Sequence, residues 1–149
     1  HKTLSQATRD NSEYVDDIAK TEGWADGLTA LDGGVSMHLA GHARAQNMGA
    51  KAAEMLRLLP DADVAVIERC SGHGGSWGVM KDNFEVGLKV GKPVARTAVK
   101  NAKQYLASEC PLAGMHIAQG VDRLDGDKPE IETVAHPIIL FAQAYGLTA

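Results

Sequence analysis

A β-branched run that leads directly into a glycine-rich loop is the feature of this sequence that most restricts its fold. Residues 63–68 read Asp-Val-Ala-Val-Ile-Glu, which is typical of a strand bounded by turn residues. Residues 70–78 then read Cys-Ser-Gly-His-Gly-Gly-Ser-Trp-Gly. Glycine at this density permits positive φ and lets the backbone pass close to a bulky group. The pattern predicts a strand whose carboxyl end opens into a tightly folded loop.

Strand-like and helix-like segments alternate along the rest of the chain. Predicted strands cover 35–39, 63–68, 104–109 and, more weakly, 131–135; predicted helices cover 8–22, a segment from 42 to 59, 81–90, 93–103, 112–120 and 138–145, with a break at 91–93. This order predicts an α/β fold, a three-layer sandwich with a mainly parallel sheet of about four strands. A ligand site is then expected at the carboxyl ends of the strands.

Composition argues against several classes of protein. The net charge of −4 gives no electrostatic basis for binding nucleic acid, and no apolar run reaches the ~20 residues of a membrane span. Two cysteines make a poor disulfide framework, so a cytoplasmic location is expected. The chain begins at His1 rather than methionine, which suggests a piece of a longer protein.

Four predicted strand-to-helix loops carry residues with ligand chemistry. They contain Gly41-His42, Cys70-Ser71, Cys110-Pro111 and His136-Pro137. Because parallel strands end at one edge of a sheet, these loops should converge there. Cys70 and Cys110 each precede a helix, whose N-terminal amides favour thiolate and sulfide. The alternatives are two buried free cysteines or a redox-active pair.

The histidines offer further donors. His42, His73, His116 and His136 are candidates to complete a metal site with the cysteines, and zinc would need four such ligands. The close Cys-x-x-Cys spacing of many zinc sites is absent. His1 and His116 are expected instead at the surface or at a helix end.

Residues 74–78 also match the G-x-S-x-G nucleophile elbow, with Ser76 as nucleophile. Asp122, Asp125 or Asp127 and then His136 follow in the order found in hydrolases. The elbow requires its strand directly before the first glycine, however, and the predicted strand ends well before Gly74. A serine hydrolase is therefore an alternative and not the first interpretation.

Several segments together resemble the cysteine-rich CCG domain that occurs in heterodisulfide reductase and in the iron–sulfur subunit of anaerobic glycerol-3-phosphate dehydrogenase. The segments that carry the resemblance are 38–46, 67–75, 108–113 and 136–138. In order, spacing and flanking sequence they are similar to the second CCG domain of a heterodisulfide-reductase-related iron–sulfur protein. The resemblance implies a CCG-type α/β domain over 31–149, preceded by a helical connector over 1–30.

The resemblance also implies a ligand set. The family pattern is a lone cysteine, then Cys-Cys-Gly, then Cys-x-x-Cys, and its thiolates hold iron–sulfur clusters. These five ligand positions fall on Gly41, Cys70, Ser71, Cys110 and Ala113. Two thiolates remain, so the implied set is degenerate. His42 and His73 are then replacement ligands or donors to the cluster, and Gly72, Gly74 and Gly75 would let backbone approach sulfide.

What the resemblance implies for function is an iron–sulfur redox or electron-transfer domain of a larger oxidoreductase complex. The sequence offers no acid–base pair or nucleophile that would name a reaction, so no catalytic residue is predicted. A preceding CCG or ferredoxin-type domain, a redox partner protein and a flavoprotein dehydrogenase are the implied partners, with attachment to a membrane only through a partner. Zinc in place of a cluster, or a scaffold half with no metal, are the alternatives. Arg44 and Arg69 would offset the negative charge of a cluster.

Overall fold

The computed structural model describes residues 2–129, 131 and 134–147, and these form helices on both faces of a parallel sheet. The elements in chain order are α1 (Lys2–Ala7), α2 (Asn11–Thr21), β1 (Val35–His38), α3 (Gly41–Ala45), α4 (Lys51–Leu56), β2 (Val64–Ile67), a 3₁₀ turn (Trp77–Val79), α5 (Phe84–Asn101), β3 (Tyr105–Ser108), α6 (Pro111–Asp122) and α7 (Pro137–Ala144). None of the helices in these ranges combines the length and the apolar character needed to span a membrane.

The sheet has the strand order β2-β1-β3, with β1 parallel to both neighbours. Val35 of β1 is opposite Val64 of β2 and Tyr105 of β3, so the three strands end in register. The prediction of an α/β sandwich with a parallel sheet is confirmed. Every strand ends at the same edge, which is where its following loop begins.

Two apolar clusters cover the two faces of the sheet. Val35 and Met37 of β1 point into a core that contains α4 and α7, whereas Ile67 and Leu106 point to the opposite face and pack on α5 and α6. The alternation follows from the two-residue period of a strand. Helices on both faces explain why the strands are short and largely apolar.

The predicted fourth strand, 131–135, is replaced by a single bridge between Ala135 and Ala107 of β3. Of that segment, residues 132 and 133 lie outside the described residues, as does the preceding residue 130. Within the residues that the structure describes, the sheet therefore has three strands and not four. His136 and Pro137 start α7 directly after the bridge.

The predicted break at 91–93 is wrong, because α5 runs without interruption from Phe84 to Asn101 with Pro93 inside it. Proline removes one helical hydrogen bond, but Pro93 and Lys89, whose carbonyl loses its donor, lie on the exposed side where water can replace that donor. Gly91 is not a helix breaker but a packing residue. It is buried, and an added Cβ there would collide with the carbonyl oxygen of Ser71.

The glycine loop and α5 thus meet backbone to backbone, in what we call the glycine interface: Gly72 and Gly78 from the loop, Gly87 and Gly91 from the helix. A Cβ on Gly72 would strike the carbonyl oxygen of Gly87, and a Cβ on Gly87 would lie 2.7 Å from that of Gly78. Gly72 also has φ of 84°, a conformation that disfavours other residues. The four glycines allow the loop to lie directly on the helix.

The predicted helix over 8–22 forms as α2, which begins at Asn11, whereas α1, which precedes that range, was not predicted. Asp10 caps α2, where its carboxylate accepts from the Ser12 N–H and Glu13 completes a capping box. The expected helix from 42 to 59 divides into two, because Asn47 and Gly49 adopt positive φ between α3 and α4. This division was not predicted.

Residues 11–31 pack on the α/β domain. Val15 and Leu31 contact the core formed with α4 and α7, and Trp24 lies 4.7 Å from Phe141 between ring centroids. The Thr29 N–H donates to the Ala144 carbonyl at 2.9 Å. The assignment of 1–30 as a connector from a preceding domain stays a prediction.

Asp16 of α2 joins that helix to α4 through a buried carboxylate that accepts from Lys51 at 3.0 Å and from Lys20. Burial alone would raise the pKa of Asp16, but the hydrogen bonds from Lys20 and Lys51 and their charges outweigh it and lower the pKa. Both lysines keep contact with solvent. We therefore expect Asp16→Asn to lower the free energy of unfolding by about 2 kcal/mol at pH 7, which is less than the cost of breaking a fully buried ion pair.

The stability lost in Asp16→Asn should become smaller as the pH falls. A lowered pKa stabilises the fold fully above the unfolded value of ~3.9, and the contribution is lost as the pH falls through the folded value. Urea denaturation of wild type and Asp16→Asn should therefore differ at pH 7 and converge below pH ~4. Asp17→Asn, on the exposed side of α2, is the matched control; an equal effect of both variants would contradict this role for Asp16.

Candidate functional site

A cavity of about 330 Å³ opens at the carboxyl edge of the sheet, where the loops after β1, β2 and β3 meet. The chain leaves β1 toward the face covered by α4 and leaves β3 toward the face covered by α6. Neighbouring strands whose connections leave to opposite faces form a crevice between them. The cavity lies at the edge that the strand order predicts for a ligand site.

The lining carries thiol, imidazole and guanidinium groups, and among its described residues there is no carboxylate. The lining residues are His38, Gly41, His42, Arg44, Arg69, Cys70, Ser71, His73, Gly74, Gly75 and Cys110. The predicted site residues Gly41, His42, Cys70, Ser71, His73, Gly74, Gly75 and Cys110 are therefore brought together. Gly72 faces α5 in the glycine interface rather than the cavity.

Cys110, His73 and Ser71 form one connected group. Cys110 caps the N-terminus of the twelve-residue helix α6, and its Sγ lies 3.8 Å from His73 Nε2. The buried Ser71 hydroxyl is hydrogen-bonded to His73 Nδ1 at 2.6 Å and so fixes the ring. Burial lowers the pKa of His73, and the nearby His116 lowers it further. Its imidazole is therefore neutral near pH 7 and able to ligate.

Cys70 is exposed at the mouth of the cavity, with its Sγ accepting from the Gly72 N–H at 3.4 Å. The alternative of two buried apolar cysteines is wrong for Cys70, and Cys110 is also partly exposed. Within the described residues, no three His, Cys, Asp or Glu side chains are close enough to hold a metal ion together. Cys110 and His73 bring a sulfur and a nitrogen donor to within 3.8 Å of each other at the cavity.

Two of the five ligand positions that the resemblance implies differ sharply in the space around them. Gly41 is exposed, starts α3 and lines the cavity, and an added Cβ would meet no atom within 4 Å. Ala113 is fully buried inside α6 and is not part of the cavity lining. A side chain at Gly41 therefore has room to reach the cavity.

The remaining histidines have different surroundings. His116 is buried, with neither ring nitrogen bonded to any described residue, and its ring meets the Phe84 ring edge-on at 5.6 Å. The expected surface or helix-end location of His116 is therefore wrong. His136 caps α7 by accepting from the Ile138 N–H at 3.3 Å, and burial lowers its pKa. His1 lies outside the described residues.

Ser76 is exposed and precedes the 3₁₀ turn. β2 ends at Ile67, so the sharp strand-to-helix turn of a nucleophile elbow is not formed around Ser76. No hydrogen bond links Ser76 to a histidine among the residues that the structure describes. The geometry gives the hydrolase alternative no support.

His38 lines the cavity, but reasoning from the sequence did not single it out as a site residue. It is the last residue of β1 and is 2% exposed. Its Nε2 lies 2.9 Å from the Arg69 carbonyl oxygen and its Nδ1 lies 3.0 Å from Ser108 Oγ. A histidine that ends an apolar strand, directly before a ligand-bearing loop, was the available signal.

The described lining of the cavity carries two guanidinium groups, one of which is paired with a glutamate outside the lining. Arg44 and Arg69 contribute cationic groups, and Arg44 Nε is 3.6 Å from Glu68 Oε1. Glu109, next to Cys110, is not among the described lining residues; burial and then the Asp10 charge raise its pKa.

Comparisons of this chain with protein-family models, with curated proteins and with solved structures found no match.

Proposed function

We propose that this chain is an electron-transfer domain of the CCG type, in which Cys70 and Cys110 bind an iron–sulfur cluster at the carboxyl edge of the sheet. The observation that carries the proposal is the lining of the cavity: two thiols, three imidazoles and two guanidinium groups, with no carboxylate among the described lining residues. Thiolate-held clusters are anionic, so this lining is complementary to them in donor type and in charge.

The donor number fits a cluster only in part. The chain has two cysteines, whereas clusters are commonly held by four thiolates. His73 is the third donor that the chain supplies, because Ser71 orients its ring toward Cys110. The open space at Gly41 supports completion by a donor from outside this chain, such as a preceding CCG or ferredoxin-type domain or a redox partner protein.

In this proposal the chain binds and orients the group, which supplies one-electron redox chemistry when bound. Arg44 and Arg69 offset its negative charge, and Gly74 and Gly75, with φ of 53° and 70°, keep the loop free of bulk at the cavity. A cytoplasmic setting and electron exchange with a flavoprotein dehydrogenase belong to the same proposal.

Zinc is the second candidate, and one distance favours it. Tetrahedral zinc with ordinary Zn–S and Zn–N bonds separates a sulfur and a nitrogen ligand by about 3.5 Å. Cys110 Sγ and His73 Nε2 are 3.8 Å apart, so the pair needs little movement to share one ion.

Anaerobic reconstitution with iron and sulfide, in the presence of a small thiol that supplies missing ligands, tests the proposal. We expect visible charge-transfer absorption that bleaches on reduction, and its loss in Cys70→Ser and Cys110→Ser. Ser76→Ala, an exposed site outside the cavity, is the matched control. A colourless protein that binds one zinc through Cys110 would favour the second candidate, and a protein that binds neither would contradict a metal site and favour a scaffold.

A further inference from the structure

His38 is the centre of a buried hydrogen-bond chain that joins the two cysteine loops. It pairs in register with Ser108, the last residue of β3, and both side chains are at most 2% exposed. Ser108 Oγ in turn accepts from the Cys110 N–H at 3.3 Å. On the other side, His38 Nε2 reaches the Arg69 carbonyl, one residue before Cys70.

The proton positions along this chain follow from its chemistry. A carbonyl oxygen only accepts, so His38 Nε2 carries a proton and donates to Arg69. Burial lowers the pKa of His38, and His73 and Arg44 oppose a positive ring, although the Arg69 carbonyl favours one. The neutral ring then accepts at Nδ1 from the Ser108 hydroxyl. The three hydrogen bonds therefore run from the Cys110 amide to Ser108, from Ser108 to His38 and from His38 to Arg69, and every donor has an acceptor.

The strand order explains why these hydrogen bonds matter for the relative position of the two cysteine loops. Cys70 follows β2 and Cys110 follows β3, and these strands are separated by β1. No ladder hydrogen bond joins β2 to β3 directly, so sheet pairing relates the two cysteine loops only through β1. His38, at the end of β1, bonds to Ser108 at the end of β3 and to Arg69 in the loop after β2.

We infer that His38 is a positioning residue that sets the separation of the Cys70 and Cys110 loops, so that both thiols reach one bound group. That both thiols reach one bound group rests on the proposed function. That His38 sets the separation of the two loops does not. The bound group would be a thiophilic metal centre, held by two cysteines that follow non-adjacent strands.

His38→Phe keeps a ring of similar size and removes both hydrogen bonds. Two readouts in the metal-free protein report on the two loops: the carbonyl carbon chemical shift of Arg69 and the hydrogen exchange of the Cys110 amide. We expect the Arg69 shift to change and Cys110 exchange to rise roughly 10-fold, as for the loss of about one hydrogen bond. His38→Gln, which keeps a donor near Nε2, should restore the Arg69 shift but not the protection of Cys110.

His116→Phe is the matched control, since it also replaces a buried histidine but one without a hydrogen-bond partner among the described residues. It should leave both readouts unchanged. If His38→Phe also leaves both unchanged, the inference is overturned whatever the protein binds. If His38→Phe unfolds the chain, Ser108→Ala decides: it should expose the Cys110 amide alone.

Cadmium titration, followed by sulfur-to-cadmium absorption, tests the link to the shared group. Wild type should bind one Cd²⁺ through both thiols, and His38→Phe should weaken binding by roughly 10- to 100-fold, as when the support of a metal ligand is removed. If wild type binds Cd²⁺ through both thiols and His38→Phe binds it with equal affinity, the inference is overturned. A wild type that binds Cd²⁺ through one thiol or none would contradict the proposed function, and the metal-free readouts would still decide the role of His38.

Discussion

Gly41→Cys is expected to raise the affinity of the cavity for a thiophilic metal ion such as Cd²⁺ by roughly 100-fold or more, since loss of mere support for a ligand already costs 10- to 100-fold. The site is open, because an added Cβ meets no atom within 4 Å, and Gly41 lines the cavity with Cys70 and Cys110. Its φ lies outside the left-handed region, so a side chain introduces no backbone strain. Iron–sulfur loading under anaerobic conditions should rise in the same variant.

Gly41→Ser is the control for this prediction, since it adds a side chain of similar shape without a soft sulfur donor. The expected order of affinity is Gly41→Cys well above Gly41→Ser, with the serine variant close to wild type. If the cysteine and serine variants bind Cd²⁺ equally, position 41 does not reach the bound ion and the cavity is not a cluster pocket of the family kind.

Gly91→Ala is expected to destabilise the fold by about 3 kcal/mol, which corresponds to a fall in melting temperature of roughly 10 °C for a chain of this size. The new methyl group would collide with the Ser71 carbonyl, and backbone on both sides of the glycine interface leaves no flexible side chain to move aside. Thermal denaturation followed by circular dichroism measures the effect. The displaced Ser71 should also loosen His73, which weakens metal binding in whatever protein stays folded.

The matched control is Gly41→Ala, a glycine-to-alanine change in a helix with open space around the new methyl group. It should leave stability unchanged or raise it by up to about 1 kcal/mol, because alanine loses less backbone entropy on folding. A Gly91→Ala variant as stable as Gly41→Ala would mean that the loop and α5 are not in rigid contact.

The parts of the fold that were predictable are those whose signal is local. The β-branched run at 63–68 marks β2, and the alternation of strands and helices places Cys70, Cys110 and His42 beyond the ends of their strands at one edge of a parallel sheet. These predictions depend on period and order along the chain, which the sequence displays directly.

Three of the errors involve partners distant in sequence. Gly91 and Pro93 suggested a break by propensity, whereas the contact of Gly91 with the Ser71 carbonyl makes glycine necessary within a continuous helix. His116 was placed near the surface because its burial depends on how α6 packs against α5. His38 was missed because its role requires the register of β1 with β3, and no local pattern contains that register.

The central place of β1 has a consequence for how the chain folds. His38 and Ser108, whose strands pair side by side, are 70 residues apart in sequence, so this pairing closes a long loop and is expected to form late. Until β3 docks, Cys70 and Cys110 belong to separate parts of the chain and no common pocket exists. Any ligand that needs both thiols then binds only the completed fold, so its affinity adds directly to the free energy of unfolding.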